Sequence, residues 1–348
     1  MKIFRKLKIY FLTAALVIAS AGVFAPAASA APDIELDCGA AILADMETGT
    51  VLYSKEADKR MYPASLTKIM TALVALDAFQ NGQVTLNDRV TVSSTAFSDI
   101  PADGASLTPK LQEGEIMSLE DLLYCLIMTS ANEPCNVVAE HVSGSVAEFV
   151  SDMNSMAQSL GCTGTHFTNT HGIHDTDQYS TAYDLMLIMR KAMSIPQFAK
   201  ISGTYEYTVP ATNLAGERSL RNTNDLLRES TASFYEYAKG GKTGYTNASG
   251  YCLASAAQKG EVYLVSVVLN TISVELPSGA RQAKSFPETK KLYQWGFDNF
   301  SYRTVISTMN LVKEVPVALG NGAETVVLRP ENSIVRLLDN DTEPTGGW

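Results

Sequence analysis

The sequence predicts an α+β fold in which an antiparallel sheet is combined with a helical subdomain, and three observations point to it. Ala40 to Asp45 and Thr50 to Tyr53 are short β-like runs around a Glu47-Thr48-Gly49 turn. The middle of the chain carries helical periodicity and helix-end signals. β-like runs return at Tyr251 to Ala257 and Val262 to Leu269, joined across Gln258-Lys259-Gly260.

Ahead of the first hairpin, Lys2, Arg5, Lys6 and Lys8 precede an apolar run from Ile9 to Phe24 and small residues ending Ala28-Ser29-Ala30. This is the layout of a secretory signal peptide, expected to be cleaved after Ala30. The apolar run has 16 residues, short of the roughly 20 that a spanning helix needs. No cysteine stands near the site, so a lipid linkage there is not supported.

After the first hairpin, Pro63-Ala64-Ser65 leads into a helix from Leu66 to Phe79. Ile69, Met70, Leu73, Val74 and Leu76 leave it little polar face, so it is expected to be central and buried, with Lys68 its one conspicuous charge. Ser118-Leu119-Glu120-Asp121 resembles a capping box ahead of Leu119, Leu122, Leu123, Leu126 and Ile127, which predicts a helix ending near Thr129. Pro134 is placed to open another helix, and Ala147 to Leu160 forms a third closed by Gly161. After Lys239-Gly240-Gly241 the chain turns strand-like, with Lys242-Thr243-Gly244 opening the second hairpin. Glu288 to Phe297 reads as a closing helix, and Val315 to Leu319, Thr325 to Leu328 and Ile334 to Leu338 are β-like runs separated by Gly, Asn and Pro. The chain is thus divided into a signal peptide (1–30), a main domain (31–302, with its boundary near Tyr302) and a C-terminal β-rich module (303–348) that is either short or incomplete.

The formal net charge is −10, and loss of the four leader cations takes it to −14. Such an acidic chain argues against a nucleic-acid partner. A hydrophobic content of 46% fits a globular domain with a good core. The five cysteines, Cys38, Cys125, Cys135, Cys162 and Cys252, have no C-x-x-C spacing and read as small buried thiols.

Ser65 and Lys68 lie three apart on the predicted helix, so their side chains share a face. A serine hydroxyl needs a neighbouring base to become a nucleophile, and a lysine serves if apolar surroundings disfavour its charge. Ser130-Ala131-Asn132 falls where one helix ends and another begins, a turn able to aim a hydroxyl and an amide into a cleft. Lys242-Thr243-Gly244 offers a cation and a hydroxyl on a strand, with a glycine permitting close approach of a ligand. Each motif alone is weak: a helix-terminal serine, an N-cap turn or an ordinary strand entry would account for it.

In the order Ser-x-x-Lys, Ser-x-Asn, Lys-Thr-Gly, the three match the combination found in β-lactamases and penicillin-binding proteins. From about Cys38 to Phe300 the chain resembles the low-molecular-mass penicillin-binding proteins of the serine D-Ala-D-Ala carboxypeptidase family. Tyr62-Pro63-Ala64-Ser65, Asn222-Thr223-Asn224-Asp225-Leu226-Leu227 and Gly241-Lys242-Thr243-Gly244-Tyr245-Thr246 add to the likeness. The resemblance implies a β-lactamase/transpeptidase-like catalytic domain. It implies Ser65 as nucleophile, Lys68 as base, Ser130 as proton relay and Asn132 as peptide holder. Lys242 and Thr243 would face the terminal carboxylate, and the N–H groups of Ser65 and Tyr245 would form an oxyanion hole beside Gly244, at about 3 kcal/mol per donor. Implied partners are peptidoglycan stem peptides ending in D-Ala-D-Ala, with β-lactams as covalent inhibitors, at the cell wall or the outer face of the cytoplasmic membrane. Peripheral membrane contact is left open. One departure stands out: where some relatives place arginines near the carboxylate site, this chain has Thr223 and Ser285, with Arg281 nearby.

Three other readings compete. A class A β-lactamase needs a glutamate to activate water, and His166-Phe167-Thr168-Asn169 stands where it is expected. A non-catalytic wall-binding protein is opposed by retention of all the polar motif residues. His166, His171, His174, Asp175 and Asp177 match no zinc-peptidase spacing, so loop-fixing hydrogen bonds are the preferred reading, and no metal or cofactor is expected.

Overall fold

The computed structural model describes residues 34–101, 104, 107, 109–276, 279–316 and 325–342. The predicted signal peptide over 1–30 lies outside the described residues, as do 317–319 of the predicted run Val315 to Leu319. Among the described residues no helix is long and apolar enough to cross a membrane.

The first predicted hairpin is present as β1 (Ala40–Asp45) and β2 (Val51–Lys55), followed by a 3₁₀ turn at Ala64–Leu66 and helix α1 (Thr67–Gln80). Next come the short pair β3 (Arg89–Thr91) and β4 (Ile116–Ser118), then α2 (Leu119–Met128), α3 (Glu133–Ser143) and α4 (Val146–Ser159). Two helices that the sequence reading passed over, α5 (Ala182–Met193) and α6 (Pro196–Gly203), precede a small hairpin of β5 (Glu206–Val209) and β6 (Arg218–Arg221). The chain then builds β7 (Ala238–Thr246), β8 (Gly250–Lys259) and β9 (Val262–Thr271). The hairpin of β10 (Ser273–Glu275) and β11 (Arg281–Ala283) leads into α7 (Ser285–Asn299). β12 (Phe300–Ile306) follows α7 directly and pairs with β15 (Ile334–Asp339), while β13 (Lys313–Pro316) pairs with β14 (Thr325–Leu328). Tyr302 therefore lies inside a strand, and its hydroxyl bonds Asp45 Oδ1 at 2.7 Å.

The main sheet has the order β2-β1-β9-β8-β7 with every pairing antiparallel. Ala40 stands opposite Leu269, so the start and end of the domain close one sheet around the helical segment. Both faces of β1 are buried: Ala40, Ile42 and Ala44 join the core shared with the helices, while Leu43 meets α7 at Gly296. Alternation of side chains across the pleat produces this division.

Sequence-encoded ends explain the helix positions. Ser118, Ser145 and Thr181 each accept a backbone N–H three residues on, satisfying an otherwise orphaned donor at the starts of α2, α4 and α5. Helix α1 is apolar nearly all round and buried accordingly, which makes it the hub against which the other helices pack.

The Lys-Thr-Gly expectation needs one correction. Lys242 to Gly244 do not open the second hairpin; they lie in the middle of a nine-residue strand that pairs with β8. Gly240 and Gly241, after which the chain was expected to turn strand-like, already belong to that strand and serve close packing. A Cβ on Gly241 would sit 2.6 Å from the Ala254 carbonyl oxygen, and one on Gly240 would meet Ser202 Oγ at 2.5 Å.

Candidate active site

Ser65 sits in the 3₁₀ turn just ahead of α1, and Lys68 is the second residue of that helix. The residue before Ser65, Ala64, holds a left-handed φ of +47°, a conformation that costs a residue with a Cβ on the order of 1–3 kcal/mol and is kept only where the surroundings enforce it. Gly172 does part of that enforcing. Its φ is +86°, and a Cβ there would stand 2.0 Å from the Ala64 carbonyl oxygen.

Lys68 is wholly buried. Its Nζ lies 3.0 Å from Ser65 Oγ, 2.8 Å from Asn132 Oδ1 and 2.5 Å from the His171 carbonyl oxygen. Burial pulls its pKa down to about 8, because a low-dielectric site disfavours the charged form. The last two partners are acceptors only. A neutral amine has two N–H bonds and one lone pair, so donating to Asn132 and His171 leaves the lone pair aimed at the Ser65 hydroxyl.

Asn132 is at the N-cap of α3, yet its side chain makes no capping bond. The amide oxygen goes to Lys68 instead, forgoing a cap of about 1 kcal/mol. Ser130, two residues earlier, takes a left-handed φ of +61° and lines the cleft. The four-residue connection between α2 and α3 thus directs one side chain outward to the cleft and another inward to Lys68.

Behind Lys68 is a network absent from the sequence reading. The Ile173 N–H donates to His171 Nδ1 at 3.2 Å, so the ring proton is on Nε2, which donates to Asp99 Oδ2 at 3.1 Å. Asn136 Nδ2 donates to Asp99 Oδ1 at 2.7 Å, and Asn136 Oδ1 accepts from Thr170 Oγ1 at 2.6 Å. Thr71 Oγ1 bonds the Thr170 carbonyl oxygen at 2.5 Å. The His171 bond holds Asp99 below the usual carboxylate range, while burial lowers the imidazole. This chain of bonds fixes the carbonyl that orients Lys68. His171 had drawn notice only as one of three clustered imidazoles. In the fold these part ways: His166 Nδ1 meets the Asp177 carbonyl oxygen at 2.7 Å, and His174 packs edge-on against Tyr62.

Strand β7 forms the opposite wall. It is an edge of the five-stranded sheet, so one row of its backbone groups has no strand partner and can receive an extended peptide. Gly244 lets it pass close to the nucleophile, since a Cβ there would already be 3.3 Å from Ser65 N. Thr243 and Tyr245 line the cleft, with the Thr243 hydroxyl 2.6 Å from that of Thr223. Lys242 is not among the described residues that line the cleft. It is buried, with Nζ donating to the Thr243 carbonyl oxygen at 2.8 Å, and burial together with the nearby Lys68 charge takes its pKa well below normal.

The cleft between these walls has a volume of about 360 Å³ and reaches from Ser65 and Ser130 to Tyr251, Ser285 and Phe286. Arg281, near the site in sequence, is exposed on the β10–β11 hairpin with its guanidinium on the Ser273 hydroxyl at 2.7 Å. All five cysteines are free thiols. Burial pushes Cys135, beneath Lys68, up to about 12, and Cys252, at the cleft, up to about 11.

A family model described as D-alanyl-D-alanine carboxypeptidase matches residues 25–273. The chain belongs to the D-alanyl-D-alanine carboxypeptidase family. Its carboxypeptidase-family relatives include DacF of Bacillus subtilis, 35% identical over 251 residues that cover 70% of this chain and 62% of DacF. DacC of Escherichia coli is 35% identical over 290 residues, covering 81% of this chain and 68% of DacC. The structure resembles penicillin binding protein 5 from Haemophilus influenzae, with a TM-score of 0.73 and 30% identity over 88% of this chain and 84% of that one. Penicillin binding protein 6B from Escherichia coli gives a TM-score of 0.69 at 29% identity, covering 88% and 85%. The chain spans less than two thirds of the length of DacF and of the Haemophilus influenzae DacA, 62% and 64% respectively.

Proposed function

We propose that this chain is a serine D-alanyl-D-alanine carboxypeptidase that removes the terminal D-Ala from peptidoglycan stem peptides through an acyl-enzyme on Ser65. The observation that carries the reading is the environment of Lys68: a fully buried amine with two acceptors fixed beside it and Ser65 Oγ at 3.0 Å. A lysine of ordinary pKa would be protonated and useless as a base at neutral pH. One lowered to about 8 is neutral in an appreciable fraction of molecules.

In this mechanism Lys68 Nζ takes the Ser65 hydroxyl proton as Oγ bonds the carbonyl carbon of the penultimate D-Ala. The oxyanion faces the N–H groups of Ser65 and Tyr245, which need no reorganisation as charge develops. The C–N bond then breaks, and the departing amine receives a proton through Ser130, leaving an ester on Ser65. Water repeats the sequence with Lys68 again as base, and Ser65 is regenerated. Asn132 and the open edge of β7 hold the peptide, and Thr243, braced from behind by Lys242, meets the terminal residue.

The same attack opens a β-lactam ring and leaves a penicilloyl ester. Asn169, in the segment where a β-lactamase would carry its glutamate, is occupied with the Gly172 N–H and the Ile173 carbonyl oxygen. The described residues lining the cleft include no Asp or Glu, so slow release of the adduct is expected. Export by the signal peptide would bring the enzyme to its wall substrate.

The test is incubation with a synthetic peptide ending D-Ala-D-Ala and mass spectrometry of the products. Wild type should release D-Ala and Ser65→Ala should not. Equal release by Ser65→Ala would overturn the assignment.

A further inference from the structure

Lys68 must carry a positive charge for part of each catalytic cycle. When its Nζ takes the Ser65 proton, the Oγ–H bond breaks, an N–H bond forms, and a fully buried amine becomes an ammonium. Its two fixed acceptors, Asn132 Oδ1 and the His171 carbonyl oxygen, are neutral groups. A buried charge without a counter-charge is strongly disfavoured, so the surroundings of Lys68 decide how well it holds that proton.

Titratable groups face Lys68 from three directions. On β7, Lys242 is buried, and both its burial and the Lys68 charge work against its own ionisation. On the 166–181 segment, burial disfavours protonation of the His171 ring, and the Lys68 charge adds to this. Asp99 behind it spends its two oxygens on His171 and Asn136. On α3, Cys135 and Glu133 oppose the burial that pulls Lys68 down. Burial pushes the Cys135 thiol up to about 12, so it is neutral near pH 7 and brings no charge. Glu133 is the group that remains.

Glu133 is the first residue of α3, directly after Asn132, and is only 2% exposed. Its Oε1 accepts the Leu107 N–H at 3.1 Å. Its Oε2 is buried with no hydrogen-bond partner among the described residues. Holding Leu107 needs one acceptor, which an uncharged amide would supply as well, so a carboxylate with an orphaned oxygen calls for a further reason. On its α2 side stands Cys125, a thiol kept neutral by burial, and the Glu115–Arg218 pair that Cys125 also senses is closed on itself at 2.7 Å.

We propose that Glu133 is a positioning residue for the reaction: its buried carboxylate supplies the counter-charge with which Lys68 holds the proton taken from Ser65 until Ser130 passes it to the departing amine. This rests on the reading of Lys68 as the base. The turn that aims the Asn132 amide at Lys68 therefore also brings the opposing charge, one residue on. Desolvation alone would leave Lys68 too weak a base to accept a serine proton, and Glu133 offsets part of that loss.

The experiment measures the rate of acylation by labelled penicillin against pH for wild type, Glu133→Gln, Glu133→Met and Glu133→Asp. In wild type the rate should rise with a midpoint near 8. The glutamine keeps an oxygen for the Leu107 N–H without the charge, and the methionine is a second neutral side chain of similar size. In both, the ammonium form loses its partner, so the midpoint should move to lower pH by about half a unit or more, about a threefold loss of proton affinity, and the plateau should fall. Glu133→Asp keeps the charge, and its midpoint should stay within about 0.2 unit of wild type whatever its rate. A purely structural role would lower the rates and leave every midpoint in place, and that result overturns the proposal. An aspartate midpoint that moves as far as the glutamine one overturns it too. If Lys68→Ala is acylated as fast as wild type, the base reading itself fails and this inference fails with it.

Discussion

The two walls of the cleft are built on different principles. On the Ser65 side Lys68, Asn132 and His171 are almost completely buried, and the bonds from Asp99 and Asn136 hold them from behind. On the Thr223 and Thr243 side the groups that meet ligand are hydroxyls near the surface, joined to one another by a single bond. Bond-making chemistry needs a base of controlled pKa at a fixed distance, which only close packing supplies. Recognition of a departing residue needs little more than shape and a few polar groups. The first wall should therefore be intolerant of change and the second adjustable.

Lys68→Ala tests the contrast most severely. The rate of acylation by labelled penicillin should fall by about 10²- to 10⁴-fold, the usual contribution of a positioned base, while the fold persists by circular dichroism. A fall under tenfold would show that the buried amine is not the base.

Gly172→Ala attacks the same wall through packing. The added Cβ meets the Ala64 carbonyl oxygen at 2.0 Å at a position with φ of +86°, so a loss of about 2–4 kcal/mol is expected from strain and overpacking. Urea denaturation measures it, and acylation should slow as the Ser65 turn shifts.

Asp99→Ala leaves Lys68 in place but frees the His171 ring. A drop of about tenfold in kcat with little change in KM is expected, since the carbonyl that orients Lys68 loses its support. The pH profile separates this positioning role from simple damage. In wild type the rate should rise with pH and level off above about 8, as Lys68 loses its proton. In the variant the plateau should be lower. Linkage gives the same group an effect on stability: its folded pKa of about 8 lies below the unfolded 10.5, so the unfolded chain binds more protons between these values and stability should increase with pH across that window.

Arg281→Ala belongs to the permissive wall and should matter least. Its guanidinium rests on Ser273 at the surface, and D-Ala release from the standard peptide should change by less than about twofold, as is usual for exposed positions. A tenfold loss would show that this arginine swings into the cleft.

Much of the molecule was legible before folding because it is encoded over short distances. The first hairpin, α2 with its Ser118 cap, α4 ending before Gly161, and the β8–β9 hairpin all follow from periodicity and end signals within a few residues. The pairing of Ser65 with Lys68 needed only one turn of helix. The motif order located Asn132 and Thr243, though no local rule could say that an N-cap amide would turn away from its helix to meet Lys68, or that Lys242 would face its own strand.

Those outcomes belong to the tertiary structure. Asp99, Asn136 and His171 come from three separated segments, and nothing in their spacing announces a network; they meet because α1 and α3 pack against the 166–181 segment. The need for glycine at 240 and 241 arises only where β7 presses against β8 and α6 and requires backbone without side chains. The sequence by itself determined which residues carry reactive groups and which short elements present them. The depressed pKa of Lys68 and the acceptors placed around it were decided only by folding, because desolvation and hydrogen-bond geometry are properties of surroundings assembled from distant parts of the chain.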